Sequence, residues 1–223
     1  MRSELLVFLK APRAGAVKTR MAKDLGDELA VEVYRGLACA VLDATLPTPS
    51  EGFLRVLCFA PRDAGPEIAA WLGDEVLEAQ SEGDLGARMD EAFANSFARG
   101  STKTVIIGTD CPDIDQTVVA AAFRALDGAE VVVRAAEDGG YTLIGLTRRQ
   151  AALFAGIAWS TGAVFSQTLA RAAAAGLRVE TAGPDSDIDD LAGLRRHWAR
   201  VAPLLDAGVA RRIEGTAFST PPA

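Results

Sequence analysis

A chain of 223 residues, 49% of them apolar, has the length and composition of one large packed α/β domain, able to bury roughly 70% of its unfolded surface rather than stay disordered. Its net charge of −7 argues against general nucleic-acid binding, which wants a basic face over many phosphates. No apolar run approaches a membrane span, and three cysteines (Cys39, Cys58, Cys111) with no CxxC pair suggest a reducing cytoplasm.

The opening Met1-Arg-Ser-Glu4 leads into a strand-length apolar run without a small-residue cleavage site, which argues against a secretory signal. That run, Leu5–Leu9, is the first predicted strand. Ala22–Ala44 is predicted as one long amphipathic helix, ended by Leu46-Pro-Thr-Pro-Ser50. Phe53–Phe59 is the second strand; the turn Pro61–Gly65 leads to a short helix through Trp71, and Glu75–Ala79 is the third strand. Asp84 is placed to cap a helix running to Phe97. Thr104–Gly108 is the fourth strand, Asp115–Leu126 a helix, Glu130–Ala135 the fifth strand and Tyr141–Leu146 the sixth. Ala163–Ala175 is a helix, Leu177–Thr181 the last strand and Ile188–Arg200 a closing helix. Residues 1–205 are expected to form one domain, and 206–223 a loosely held tail. Four strands are apolar on consecutive positions, the pattern of a parallel sheet covered by helices on both faces. Such a sheet binds ligands beyond the carboxyl ends of its strands, so the residues just after each strand carry the functional reading.

After the first strand comes Lys10-Ala-Pro-Arg-Ala-Gly-Ala-Val-Lys-Thr-Arg20. From Leu5 to Lys23 there are five basic residues and no acidic one, so the remaining positions sum to −12. Just before a helix, that charge suits phosphate groups; a solubilising loop is the plainer reading, but Pro12 and Gly15 fix a particular backbone path. The segment is neither a P-loop nor a GxGxxG motif, because Val17 stands where the glycine of GK[ST] belongs. After the fourth strand, Gly108-Thr-Asp-Cys-Pro-Asp113 offers Asp110 as a ligand for Mg²⁺ or Mn²⁺, with Asp113 or Asp115 better placed to cap the next helix. After the fifth, Glu137-Asp-Gly-Gly-Tyr141 reads equally as a tight hairpin or an acceptor site. After the last, Asp185-Ser-Asp-Ile-Asp-Asp190 departs from an EF-hand at its sixth and twelfth positions. It is either a set of helix caps or the source of a second metal ligand, Asp187 or Asp189. The single histidine, His197, lies in a helical stretch, which leaves Ser-His-Asp, Cys-His and zinc chemistry without support.

Six segments in order, Lys10–Met21, Gly83–Met89, Gly108–Pro112, Asp138–Gly145, Trp159–Thr161 and Asp187–Asp189, resemble a bacterial family of GT-A-like transferases called DUF2064 or selenodomain-associated. It is similar to the molybdopterin-guanine and phospholactate nucleotidyltransferases. The resemblance implies the nucleotide-diphospho-sugar transferase fold, a mainly parallel sheet with helices on both faces. It implies a nucleotide site built from Lys10, Pro12, Arg13, Gly15, Lys18, Arg20, Gly83, Asp84, Gly86, Arg88, Thr109 and Asp110, with Lys18 and Arg20 facing the phosphates and Gly83–Arg88 near the base. It also implies an acceptor site of Gly139, Gly140, Tyr141, Trp159, Ser160 and Thr161. Asp110 would hold Mg²⁺ or Mn²⁺, with Asp189 as second ligand ahead of Asp187. The chain departs from the family at Asp190-Leu-Ala-Gly, where relatives carry Thr-Pro-Glu-Asp.

Two chemistries use this equipment. A glycosyltransferase would move a sugar from an NDP-sugar to a small-molecule acceptor, with Lys18 and Arg20 stabilising the departing diphosphate and Asp138 or Glu137 as base. A nucleotidyltransferase would join an NTP to a phosphorylated compound and expel pyrophosphate, but it needs a second cationic patch. Arg134 is the sole basic residue between Asp127 and Leu146, which tilts the reading to sugar transfer. A non-catalytic nucleotide-binding partner is the third reading.

Overall fold

The computed structural model describes residues 2–47 and 52–218. Among them seven strands form one sheet: β1 (Ser3–Lys10), β2 (Phe53–Ala60), β3 (Leu77–Ala79), β4 (Lys103–Ile107), β5 (Val131–Ala136), β6 (Tyr141–Leu146) and β7 (Val179–Asp185). Their order across the sheet is β3-β2-β1-β4-β6-β5-β7. Every pairing is parallel except those of β6, which is antiparallel to both β4 and β5. The reversal has its cause in the connection: residues 137–140 are too few for a crossover, so the chain can only turn back on itself.

The consecutive apolar residues of the strands point alternately to the two faces. Leu5, Val7, Leu57 and Ile107 pack against Val41, Ile68 and Val119, which come from α2 (Asp27–Ala44), α3 (Gly65–Leu72) and α5 (Gln116–Ala125). Leu6, Val56, Ile106, Val133 and Ile144 pack on the other face against Phe93 of α4 (Leu85–Ala98) and Ala172 of α6 (Val164–Ala174). Burial of an aliphatic or Phe side chain contributes about 1.5–3 kcal/mol, and both faces of the sheet are covered in this way.

Three expectations need correction. The single helix over Ala22–Ala44 is two: α1 (Thr19–Leu25) and α2, broken at Gly26, whose φ of 82° and ψ of 157° no helix accommodates. Asp27 and Glu28 then fall in the first turn of α2, where the helix dipole favours negative charge. The predicted break Leu46–Ser50 lies partly outside the described residues. The closing helix is likewise two, α7 (Leu191–Arg196) and α8 (Trp198–Val201), interrupted at His197.

Most of the expected loose tail is a helix, α9 (Ala207–Ala217), started by Asp206, whose side chain accepts from the Gly208 and Val209 amides. Ile213 and Ala217 of α9 are fully buried with Met21, Leu25, Leu37, Ile188 and Val201 in a third core cluster. The backbone carbonyl of Ala217 accepts from the Arg195 guanidinium at 2.6 Å. This cluster clamps α1 and the segment around Ile188 together. Ile213→Ala should cost about 2–5 kcal/mol in urea unfolding; a change within 0.5 kcal/mol would mean that α9 is not part of the core.

Candidate active site

The strand order reverses between β1 and β4, and beyond their carboxyl ends two adjoining clefts open, of about 580 and about 400 Å³. Lys10, Lys18, Gln80, Arg88 and Thr109 line the larger one. Asp138, Gly140, Trp159, Thr161 and Asp187 line the smaller. Arg20, Leu85, Asp110, Tyr141, Thr142, Ser160 and Asp189 line both, and so mark where the two meet.

The basic loop divides. Tyr34 of α2 clamps its beginning: the phenol donates to the Lys10 carbonyl (2.9 Å) and accepts from the Lys10 amide (2.7 Å). Arg13 is a correction. Its guanidinium pairs with Glu67 at 2.8 Å and lies 3.7 Å from Asp63, and neither it nor Pro12 nor Gly15 lines either cleft. Those three shape the loop, with Gly15 at a φ of 74°. Lys18 stands at the start of α1 in the left-handed region (φ 46°, ψ 41°), with its side chain 3% exposed. Its ammonium lies 2.5 Å from Asp110 Oδ1 and 2.9 Å from Asp189 Oδ1. Burial works against that charge, and the two carboxylates more than offset it, so the Lys18 pKa lies above the ordinary lysine value. Arg20 is exposed and, among the described residues, forms no ion pair or side-chain hydrogen bond.

The acidic run Asp185–Asp190 also divides. Asp185, at the end of β7, is buried in a two-pronged pair with Arg134 and accepts from the Thr142 hydroxyl at 3.0 Å. Asp190 caps α7 by accepting from the Gly193 amide at 2.8 Å. Asp187 and Asp189 are left for the clefts. Ile188 between them is 1% exposed, and its amide donates to the Asp110 carbonyl at 3.1 Å, tying the acidic run to the end of β4. Asp187 is pushed up to about 6, first by burial and then by the charges of Asp189 and Asp138.

Asp110 and Asp189 both direct an Oδ1 at the one positive centre, Lys18 Nζ. Two hard oxygens converging on a cation, half-exposed to solvent, form a donor set that suits Mg²⁺ or Mn²⁺, which take one or two protein carboxylates and draw further ligands from substrate phosphate and water. No group of three acidic, His or Cys side chains converges as a fuller cage among the described residues. Asp187 lines the smaller cleft and not the larger.

In the β5–β6 turn, Asp138 Oδ1 accepts from the Gly140 amide at 2.8 Å, which fixes its carboxylate at the smaller cleft. Glu137 is a correction as a base: it pairs with Arg196 at 3.2 Å and lines neither cleft. Gly139 (φ 86°) is demanded by close approach, since a Cβ there would sit 2.2 Å from the Gly162 carbonyl oxygen. Gly86 has a similar reason. A Cβ would meet the Trp159 ring at 2.6 Å, so this glycine seats the indole instead of touching ligand. Gly83 and Asp84 also lie off the clefts and build the start of α4, where Asp84 accepts from the Ala87 amide at 2.8 Å. Of that segment, Leu85, Arg88 and Met89 reach the larger cleft. Tyr141 and Ser160 line both clefts, and Trp159 and Thr161 line the smaller. Cys111 also lines the smaller cleft, but burial pushes its thiol up to about 12, which makes it a poor nucleophile.

Sequence reasoning missed Gln80 and Tyr34. Gln80 is 8% exposed, and its amide donates to the carbonyls of Cys58 (2.7 Å) and Leu9 (3.3 Å), binding three strand ends together at the larger cleft. It directly follows β3, and the signal lay in treating that strand end like the others.

A family model described as "Uncharacterized protein conserved in bacteria (DUF2064)" matches residues 48–161. The chain belongs to the DUF2064 family. The matched part of this DUF2064 chain contains Arg88, Asp110, Asp138 and Trp159, while Lys18 and Asp189 lie outside it. A crystal structure from Desulfovibrio desulfuricans G20, of a protein named as a candidate nucleotide-diphospho-sugar transferase, is similar at 28% identity and a TM-score of 0.86. That likeness covers 97% of this chain and 96% of that one. A CMP:2-keto-3-deoxy-manno-octonic acid synthetase complexed with CTP shares the fold at 11% identity and TM-score 0.56, over 92% and 100% of the two chains. Rv0371C of Mycobacterium tuberculosis H37Rv, in complex with manganese, does so at 16% and 0.50, over 89% and 98%. No curated protein matches the sequence. The DUF2064 chain thus has the nucleotide-diphospho-sugar transferase fold, a transferase scaffold. Among its described residues no helix is long and apolar enough to cross a membrane.

Proposed function

We propose that the protein transfers the sugar of a nucleoside-diphosphate sugar to the hydroxyl of a small-molecule acceptor, releasing the nucleoside diphosphate, with the nucleotide in the larger cleft and the acceptor in the smaller. The observation that carries this reading is the junction: Arg20, Asp110 and Asp189 line both clefts, with Lys18 against the two carboxylates. A bond spanning two clefts is cleaved where they meet, and Arg20 brings positive charge to that point, with Lys18 beside it in the larger cleft. A divalent cation held by Asp110 and Asp189 would supply positive charge to the diphosphate as its bond to the sugar breaks. Arg20, free of protein partners among the described residues, neutralises a phosphate oxygen, and one such well-placed donor is worth about 3–4 kcal/mol in a transition state. Asp138, oriented by the Gly140 amide, accepts the proton of the acceptor hydroxyl as its oxygen bonds to the sugar carbon. Glu137 is committed to Arg196, which leaves Asp138 as the base.

Nucleotidyl transfer to a phosphorylated acceptor would need an uncommitted cation in the smaller cleft. Arg134 is neutralised by Asp185, and among the described residues Arg20 alone is free there. The fold it shares with a CTP-bound synthetase keeps this reading as the alternative. The test is thermal-shift screening of NDP-sugars and NTPs with and without Mn²⁺, followed by product analysis. A saturating ligand at a hundred times its Kd should stabilise the protein by about 2.7 kcal/mol, or roughly 5–10 °C. Release of NDP from an NDP-sugar supports the proposal; pyrophosphate release from an NTP supports the alternative; no shift with any nucleotide rules out both.

A further inference from the structure

We propose that Lys18 keeps free divalent ions out of the site, so that its substrate is the metal–nucleotide complex and not the two components in either order. The inference rests on the proposed nucleotide site and concerns what that site admits. Asp110 and Asp189 each turn an Oδ1 to the Lys18 ammonium, at 2.5 and 2.9 Å, and no other cation is paired with either among the described residues. The side chain of Lys18 is 3% exposed, whereas those of the two aspartates are 45% and 42% exposed. The carboxylates are open to solvent, and the charge between them is not.

A cation bound by both Oδ1 atoms would have to enter the gap Lys18 now fills. Two positive centres in contact there repel each other, so the ion can enter only if the ammonium leaves. An ammonium in a buried setting, stripped of its carboxylates, is heavily penalised unless another anion receives it. The nearest space is the larger cleft, which Lys18 already lines together with Arg20. A bare ion brings no anion with it. A metal–nucleotide complex brings both: its ion replaces the ammonium at the aspartates, and its phosphates accept the displaced ammonium. The left-handed backbone of Lys18 (φ 46°) fits this account, since a non-glycine residue held there at a ligand cleft is strained. Selection at this point would shield the carboxylates from the cell's pool of free Mg²⁺ and make entry depend on the phosphates.

The experiment measures affinity for two probes, Mn²⁺ alone and Mn²⁺ with each of UDP, CDP, GDP and ADP. Calorimetry and the electron paramagnetic resonance signal of free Mn²⁺ serve on the full chain. Lys18→Met and Lys18→Gln are compared with wild type, with folding checked by circular dichroism. The expectation is a crossing of signs. Both variants should bind Mn²⁺ alone about tenfold or more tightly than wild type, because the competing charge is gone, and should bind the best Mn²⁺–nucleotide about tenfold or more weakly. Mn²⁺ affinity that is unchanged or lowered in the variants overturns the proposal, even if wild type binds a metal–nucleotide and the functional reading survives. Variants that gain Mn²⁺ affinity while no protein binds any nucleotide would uphold the exclusion of the free ion and sink the functional reading. Should neither variant fold, wild type decides: it should take up Mn²⁺ at least about tenfold more tightly with the nucleotide than without it, beyond the nucleotide's own chelation. Equal uptake overturns the proposal.

Discussion

Asp110→Asn is expected to abolish metal-dependent nucleotide binding, weakening the best Mn²⁺–nucleoside diphosphate by about a hundredfold or more, roughly 2.7 kcal/mol. An amide keeps the shape of the carboxylate and removes the charge on which a hard divalent ion depends. It also removes one of the two carboxylates that hold Lys18 in place. Folding should survive, because Asp189 still pairs with the Lys18 ammonium and the carbonyl that accepts from Ile188 belongs to the backbone. Calorimetry with and without Mn²⁺ reads the effect. An affinity equal to wild type in Mn²⁺ would remove Asp110 from the site.

Gly139→Ala should be the most damaging small substitution in the turn behind the smaller cleft, whose lining includes its neighbours Asp138 and Gly140 but not Gly139 itself. The new methyl group would lie 2.2 Å from the Gly162 carbonyl oxygen and 2.6 Å from the Gly162 Cα, both backbone atoms that cannot swing aside. The positive φ of 86° adds strain to the clash. The expected cost is about 3 kcal/mol or more, which lowers Tm by roughly 6–12 °C for a domain of this size. The Gly139 carbonyl also accepts from the Phe165 amide at 2.9 Å, so a shifted turn drags the start of α6 with it. A differential scanning calorimetry Tm within 2 °C of wild type, with unchanged turnover, would mean that the turn is free to move.

The architecture was largely legible because parallel strands carry consecutive apolar residues, and the ends of β1, β4 and β6 fell within a residue or two of their predicted places. The caps Asp84 and Asp115 were readable for the same local reason: each accepts from an amide three residues on. The division of charges within each motif was not legible. Arg13 meets Glu67 across 54 residues, and Glu137 meets Arg196 across 59, so neither loop declares which of its members is already spent. Asp185, Asp187, Asp189 and Asp190 look equivalent in sequence; only the third dimension assigns one to Arg134, one to a helix cap and two to the clefts. The break at Gly26 is a failure of a different kind. The amphipathic period continues through it, and the glycine followed by two acidic residues was the local sign of a new helix start.

The pairing of Lys18 with Asp189 joins points 171 residues apart. Ile188, beside that aspartate, is packed by α9 at the far end of the chain. On the ribosome, the basic turn therefore emerges long before its counter-charges. The sheet from β1 to β6 can assemble while the turn still lacks Asp189 and the packing that steadies α1. A chain halted before Asp189 would lack one of the two carboxylates that face Lys18, and one halted before α9 would lack part of the packing around Met21 and Ile188.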